Sequence, residues 1–252
     1  MKTAPITVEY LDHMGSDLDV VNAARVSFAK TSKWETQDCE DIFNVPEGWS
    51  LEFEDDNAYL KKLSEQDQKL IKYLAEHNHW SPFSHCYLKF RIKAPIFVAR
   101  QLQKHTVGLA WNEVSRRYVD SEPEFYFPDT WRAKAENVKQ GSGQEYKDDM
   151  WTCSAFGHVG STVKGETYQL CDTALGVYKD MLNRGVCAEQ ARMVLPQNTI
   201  TEWIWSGSLA AFARVVKLRT DPHSQYETSL VAHGIKYSLV NHFPYSTEAL
   251  LK

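Results

Sequence analysis

The sequence predicts an α+β fold, an antiparallel sheet packed with several long helices. Three observations carry this reading. Residues 86–93 alternate strictly, with Leu88, Phe90 and Ile92 on one side and Lys89, Arg91 and Lys93 on the other. That is the period of a half-buried strand. In the C-terminal third, Cys171, Ala174, Leu175, Tyr178 and Leu182 form a helical stripe, and Leu209, Phe212, Val215 and Val216 form another. A further helix runs from about Gln225 to His242 and stops before Pro244.

In chain order, residues 6–12 alternate well enough for a first strand. Asp17 to Ser27 then reads as a helix with Val20, Val21, Ala24 and Val26 near one side. Residues 33–58 are acidic, aromatic and irregular, and read as an inserted surface segment. Ser64 with Asp67 resembles a capping box that opens a helix carrying Leu70, Ile71 and Leu74. Pro82 ends it. Pro95 suits the first turn of a helix running to about His105. Residues 121–166 read as loops with short elements, and 135–165 as a second insertion. Gly185 stops the long helix, Ser208 caps the next one, and Asp221 with His223 makes a turn into the last. The expectation is a single domain over 1–252.

The 252 residues are 43% hydrophobic, enough to bury one core. No run of about 18 apolar residues occurs, and the first ten residues lack a basic region followed by an apolar core. A cytoplasmic protein without a membrane segment is expected. The net charge of −5 gives no general pull toward nucleic acid, so a phosphate-bearing ligand needs a local cluster of cations. The five cysteines, at 39, 86, 153, 171 and 187, form no CxxC pair. Reduced thiols fit them better than disulfides or zinc. His77, His79 and His85 cross a proline-broken turn without a matching Cys or carboxylate pair, so no metal is expected.

The dense stretch runs from Arg100 to Tyr118. It holds Arg100, Gln101, Gln103, Lys104, His105, Asn112, Glu113, Ser115, Arg116 and Arg117, broken by Val107, Gly108, Leu109, Ala110 and Trp111. Arginine offers a planar fork to phosphate, and amides and hydroxyls read the edge of a polar ring. The same composition describes a solvated basic face, and composition alone does not choose between them. Trp111 is a candidate to stack on a ring or to sit in the core. Arg192, in ARMVLP, and Arg219, in KLRTDPHSQYE, lie beside apolar residues. Each calls for a partner if buried, with Glu189 and Glu227 as candidate mates.

Read end to end, the chain resembles the flavin-dependent thymidylate synthases. DHMGSDLDVVNAARVSF at 12–28, HWSPFSH and FRIKAPIFVARQ within 79–101, NEVSRRY at 112–118, FYFPDTWR at 125–132, ARMVLP at 191–196 and KLRTDPHSQYE at 217–227 carry the likeness. The resemblance implies the family's α+β fold and a homotetramer with shared active sites. It implies reductive methylation of dUMP to dTMP, with FAD as cofactor and NADPH and methylenetetrahydrofolate as co-substrates. No nucleic-acid or membrane partner is implied. Residue by residue, Gln101, Gln103, Lys104, Glu113, Ser115, Arg116, Arg117, Arg192 and Arg219 fall to the nucleotide. His79, Ser81, Lys104, His105, Thr106, Glu113, Ser208 and Arg214 fall to the flavin, His79 also near the folate. The implied catalytic group is Arg219, whose guanidinium would stabilise charge developing on the N3–C4–O4 edge of uracil. No cysteine in these motifs is placed to attack C6, and Cys187 reads as a packed thiol.

The chain departs from the pattern in one direction. Where the family motif begins Arg-His-Arg, this chain has Lys104, His105 and Thr106, with one extra residue before Asn112. Ser208 and Ala210 stand where Asn and Arg are usual, with Arg214 about one helical turn on. Lysine keeps the charge and loses the fork. These departures leave three accounts open. The flavin is held through other contacts, such as Arg214 or Arg116; or it is held weakly; or the reaction is a variant, hydroxymethylation or one on dCMP. A pyrimidine-nucleotide-binding paralogue without methyl transfer also stays open, and a single-strand nucleic-acid binder is opposed by the net charge.

Overall fold

The structure is a computed structural model that describes residues 1–54, 57–135, 142–146, 152–153 and 159–252. Its strands are β1 (Lys2–Thr3), β2 (Thr7–Met14), β3 (Glu35–Asp38), β4 (Ser50–Glu54), β5 (Asn57–Lys62), β6 (Tyr87–Pro95), β7 (Leu109–Glu113), β8 (Glu124–Phe125), β9 (Thr152–Cys153), β10 (Val159–Ser161) and β11 (Ile200–Ser208). Its α-helices are α1 (Asp17–Arg25), α2 (Glu65–Glu76), α3 (Ile96–Leu102), α4 (Val163–Asn183), α5 (Ala188–Ala191), α6 (Leu209–Arg219), α7 (Tyr226–His242) and α8 (Pro244–Leu251). The mixture is the α+β class expected. The main sheet has the order β2-β6-β11-β7. None of the described helices is long and apolar enough to cross a membrane. The chain forms two compact units, one of Met1–Leu11, Lys89–Ser206 and Val215–Ile235, the other of Asp12–Leu88, Gly207–Arg214 and Lys236–Lys252.

In the first unit, β6 keeps the alternation read from the sequence. Phe90 and Ile92 are fully buried while Lys89 and Arg91 are exposed. Pro95 closes the strand and is the N-cap of α3, whose first amides, of Ile96 and Phe97, donate to Thr199 O at 2.9 Å and Gln197 O at 3.3 Å. The helix ends at Leu102, earlier than the His105 expected, and Gln103 and Lys104 form a turn. Strand β11 was not apparent in the sequence. Trp203 and Trp205 are buried on one of its faces, but Ile204 on the other blurs the alternation.

Helix α4 buries Cys171, Leu175 and Tyr178 against Phe125 and Ala191. At about 1.5–3 kcal/mol for each large apolar side chain removed from water, this stripe anchors α4 and the short α5 together. Its end is a Schellman motif: Gly185 N–H donates to Leu182 O at 2.9 Å and Val186 N–H to Met181 O at 2.9 Å, with Gly185 at φ +83°. Ala191, part of the same cluster, precedes the 3₁₀ turn Arg192–Val194 and so fixes where Arg192 leaves the surface.

In the second unit, α1 begins at Asp17 as expected but gives way at Val26 to a 3₁₀ turn, short of the Ser27 expected. Helix α2 begins after Ser64 as expected and ends at Glu76, before Pro82 is reached, and Ser64 Oγ accepts the Asp67 N–H at 3.2 Å as the capping pattern required. Ser208 Oγ accepts the Ala211 N–H at 3.3 Å. The segment read as irregular, 33–58, instead carries β3 and β4, which flank β5 in a three-stranded antiparallel sheet. Its glue is polar, which hid it from hydrophobic periodicity. Lys61 pairs with Glu52 at 2.8 Å and lies over Trp34 at 5.0 Å, while Lys62 pairs with Glu35 at 3.4 Å and lies over Trp49 at 4.6 Å. In the other segment read as an insertion, residues 136–141, 147–151 and 154–158 lie outside the described residues, and β9 and β10 pair antiparallel.

Helix α8, also not anticipated, begins at the proline expected to end α7, because proline fits a helix's first position. Its opening amides are capped at a distance in sequence: Asp17, 1% exposed, accepts Tyr245 N–H at 3.0 Å and Ser246 N–H at 2.9 Å. Burial raises the Asp17 carboxyl from 3.8 to about 6 despite these bonds. The folded chain therefore holds a proton that the unfolded chain has released, and this group lowers stability as pH rises from about 4 to about 6. Asp17→Asn is expected to flatten that slope. Unfolding midpoints measured at about pH 4.5 and about pH 6.5 check it, and an unaltered slope would clear Asp17 of the effect.

Candidate functional site

Two adjoining clefts of the first unit gather the basic stretch. One, of about 410 Å³, is lined by Ile96, Ala99, Arg100, Gln103, Lys104, Glu113 and Arg192. The other, of about 330 Å³, shares Ile96, Glu113 and Arg192 and adds Arg116 and Thr201 among its walls. The local folding explains the gathering. Helix α3 ends beside the cleft and releases Gln103 and Lys104 from its last turn. Strand β7 lays Glu113 along the sheet edge, and the turn after α5 delivers Arg192. The larger cleft sets Arg100, Lys104 and Arg192 against the single carboxylate of Glu113. In a chain of net charge −5, that local excess of cations suits an anion.

Each polar group has a structural reason for its pose. Glu113 accepts Thr201 Oγ1–H on Oε1 at 2.8 Å and Trp111 Nε1–H on Oε2 at 3.2 Å. Arg192 is exposed, and its Nε donates to the main-chain O of Glu189 at 3.1 Å rather than to that residue's carboxylate. Arg116 Nη1 donates to Ser121 O at 2.9 Å. Arg117 Nε donates to Ser115 Oγ at 2.9 Å, and its guanidinium lies over the Tyr118 ring at 5.0 Å.

Arg219, at the end of α6, is half-buried, and burial lowers its pKa from the ordinary value. Its Nε donates to His105 Nε2 at 3.0 Å. Glu227, the mate considered for it, is instead bonded to Arg132 Nη2 at 2.6 Å. Gln101 Oε1 accepts from Thr228 Oγ1. Thus Gln103, Lys104, Glu113, Arg116 and Arg192 share the cleft walls, Arg219 and His105 form a pair, and Thr106 is exposed in the turn between Lys104 and β7.

The remaining flavin candidates belong to the second unit. His79 is exposed, with its ring 6.0 Å from that of Tyr73 and 6.4 Å from that of His77. Ser81 is exposed ahead of the 3₁₀ turn Pro82–Ser84, and Arg214 is exposed on α6. Ser208 is buried, with its hydroxyl on the Ala211 amide. Sequence reasoning missed Thr201, which touches Glu113 from 88 residues away. The one signal for it was its place two residues before Trp203, which puts both on one face of a strand.

The thymidylate synthase complementing protein family matches residues 9–245. A flavin-dependent thymidylate synthase of Thermosipho africanus is 33% identical over 242 residues, 96% of this chain and 89% of that protein. Its counterpart from Thermus thermophilus is 34% identical over 228 residues, 90% of this chain and 69% of that protein. Among solved structures, a UMP/dUMP methylase, PolB from Streptomyces cacaoi bound with 5-Br dUMP, aligns with a TM-score of 0.73 at 28% identity. The alignment covers 99% of this chain and 96% of that one.

Proposed function

We propose that this chain, which belongs to the thymidylate synthase complementing protein family and is a methyltransferase, reductively methylates dUMP to dTMP. It works as a homotetramer with shared active sites, with FAD as cofactor, methylenetetrahydrofolate as carbon donor and NADPH as reductant. The observation that carries the reading is the 410 Å³ cleft with three cations around one carboxylate. That volume lies in the range of small-ligand sites, roughly 300–1,000 Å³. Arg192, Lys104 and Arg100 suit a phosphate, and Gln103 and Glu113 suit the donor and acceptor edges of a pyrimidine nucleoside.

The residues fit the flavin in part. Lys104 and Arg214 are exposed cations of the kind its phosphates need, and His79 is an exposed ring, whereas the Ser208 hydroxyl is already engaged. When bound, the flavin supplies a hydride. The chain's own residues bind and orient the nucleotide, and Arg219 stabilises negative charge on the uracil edge so that C5 becomes nucleophilic.

The test is an absorbance spectrum of the purified protein with FAD added and dUMP then titrated in, repeated with UMP and dCMP. A flavin band that shifts on adding dUMP is the expected result and puts both ligands in one site. Nucleotide binding by a colourless protein would replace this reading with that of a non-catalytic nucleotide binder. A shift with UMP or dCMP alone would reassign the substrate.

A further inference from the structure

The reaction needs the nucleotide held in one orientation in a cleft whose cations, by themselves, would accept its phosphate at several places. Among the described residues, Glu113 is the one carboxylate lining the larger cleft, and it is held on both oxygens. We infer that Trp111 and Thr201 are positioning residues that fix the Glu113 carboxylate as an orientation gate, repelling phosphate and accepting a hydrogen bond from a ring N–H or sugar hydroxyl. The inference rests on the dUMP reading above.

The geometry follows from the sheet. Residues two apart on a strand share a face, so Trp111 stands beside Glu113 on β7 and Thr201 stands in line with Trp203 and Trp205 on β11. The two strands are neighbours. The Trp111 ring stacks on that of Trp203 at 4.3 Å between centroids and 19° between planes, and meets Trp205 edge-on at 5.4 Å. Trp203 and Trp205 are fully buried, so the indole of Trp111 is pinned against a rigid wall. Its N–H is thereby directed at Oε2 of Glu113, while the Thr201 hydroxyl takes Oε1. Hydrogen bonds to an ionised carboxylate are among the stronger polar contacts. With each oxygen already holding one donor, the carboxylate cannot swing toward Lys104 or Arg192 to neutralise them, and its remaining acceptor positions are left for a ligand.

The experiment measures dUMP dissociation constants, KM and kcat for Thr201→Val, Thr201→Ser and Trp111→Phe beside the unaltered protein, with thermal unfolding of each. Thr201→Val removes one donor at nearly constant shape and is expected to raise Kd and KM for dUMP about tenfold, with the unfolding midpoint kept. Thr201→Ser restores the hydroxyl and is expected within about twofold of the unaltered protein. Trp111→Phe keeps a stacked ring and loses the N–H, and its effect is expected to combine less than additively with that of Thr201→Val, because both act on Glu113. Unchanged dUMP affinity in both Thr201→Val and Trp111→Phe overturns the inference. So does a loss that serine fails to restore, or one matched by a lowered unfolding midpoint. An unaltered protein that binds no dUMP sinks the functional reading itself, which keeps the two failures apart.

Discussion

Arg219→Lys is expected to fold, to keep most dUMP binding, and to lose turnover by about 10²–10³-fold. C5 of uracil attacks the one-carbon unit only as charge moves onto the N3–C4–O4 edge. A guanidinium meets that edge with two parallel N–H donors, and that of Arg219 is half-buried, with burial lowering its pKa from the ordinary value. Its Nε is committed to His105 Nε2 at 3.0 Å, which fixes the plane of the fork and leaves the terminal nitrogens for the ligand. Lysine can replace the charge or the bond to His105 but not both together with the fork. The kinetic signature is a fall in kcat and kcat/KM together, because the lost contact strengthens only in the transition state. Unaltered turnover in this variant would remove Arg219 from the mechanism.

The largest effect on stability is expected at Asp67, a residue with no part in the chemistry. Its side chain is 4% exposed and accepts from Arg25 Nε at 2.9 Å, Arg25 Nη2 at 2.5 Å, Ser32 Oγ at 2.9 Å and Ser64 Oγ at 2.8 Å. Burial opposes its charge, but the hydrogen bonds from Arg25, Ser64 and Ser32 outweigh it and hold the carboxyl below 3.8. Asp67→Ala leaves Arg25 and two hydroxyls facing a hole, and about 3–5 kcal/mol of unfolding free energy should be lost. Urea denaturation measures it. Because Arg25→Ala breaks the same network, the double variant should cost less than the sum of the two singles. The sign with pH is opposite to that of Asp17. A depressed carboxyl contributes fully above about 3.8, and the contribution is lost as pH falls through the lower folded value.

The parts of the fold that the sequence revealed are those in which one residue's neighbours decide its state. Strand β6 announced itself through strict alternation, α1 through its stripe, α2 through its cap and stripe, and α4 through the stripe that ends at Gly185. The parts that stayed hidden depend on partners distant in the chain. The β3-β5-β4 sheet is joined by lysines set over Trp34 and Trp49, and no short-range pattern encodes that. Helix α8 begins where proline gave a stop signal, and its cap is Asp17, 228 and 229 residues away. The site divides the same way. Gln103, Lys104, Glu113 and Arg116 were legible as a polar cluster and, joined by Arg192, line the clefts, whereas Thr201 became visible only once β11 was laid beside β7. The family likeness pointed to Arg219, but nothing in the sequence pairs it with His105, 114 residues away.

Strand β7 stands at the end of the order β2-β6-β11-β7, and the turn carrying Lys104 and Thr106 leads into it. This border position divides the chain into ground that can drift and ground that cannot. An added residue between Thr106 and Leu109 lengthens the approach to a strand paired on one side only. The same addition within β11 would invert its remaining side chains, sending Trp203 and Trp205 out and Glu202 and Ile204 in. An insertion is thus absorbed at the margin of the sheet and not in its interior ladder.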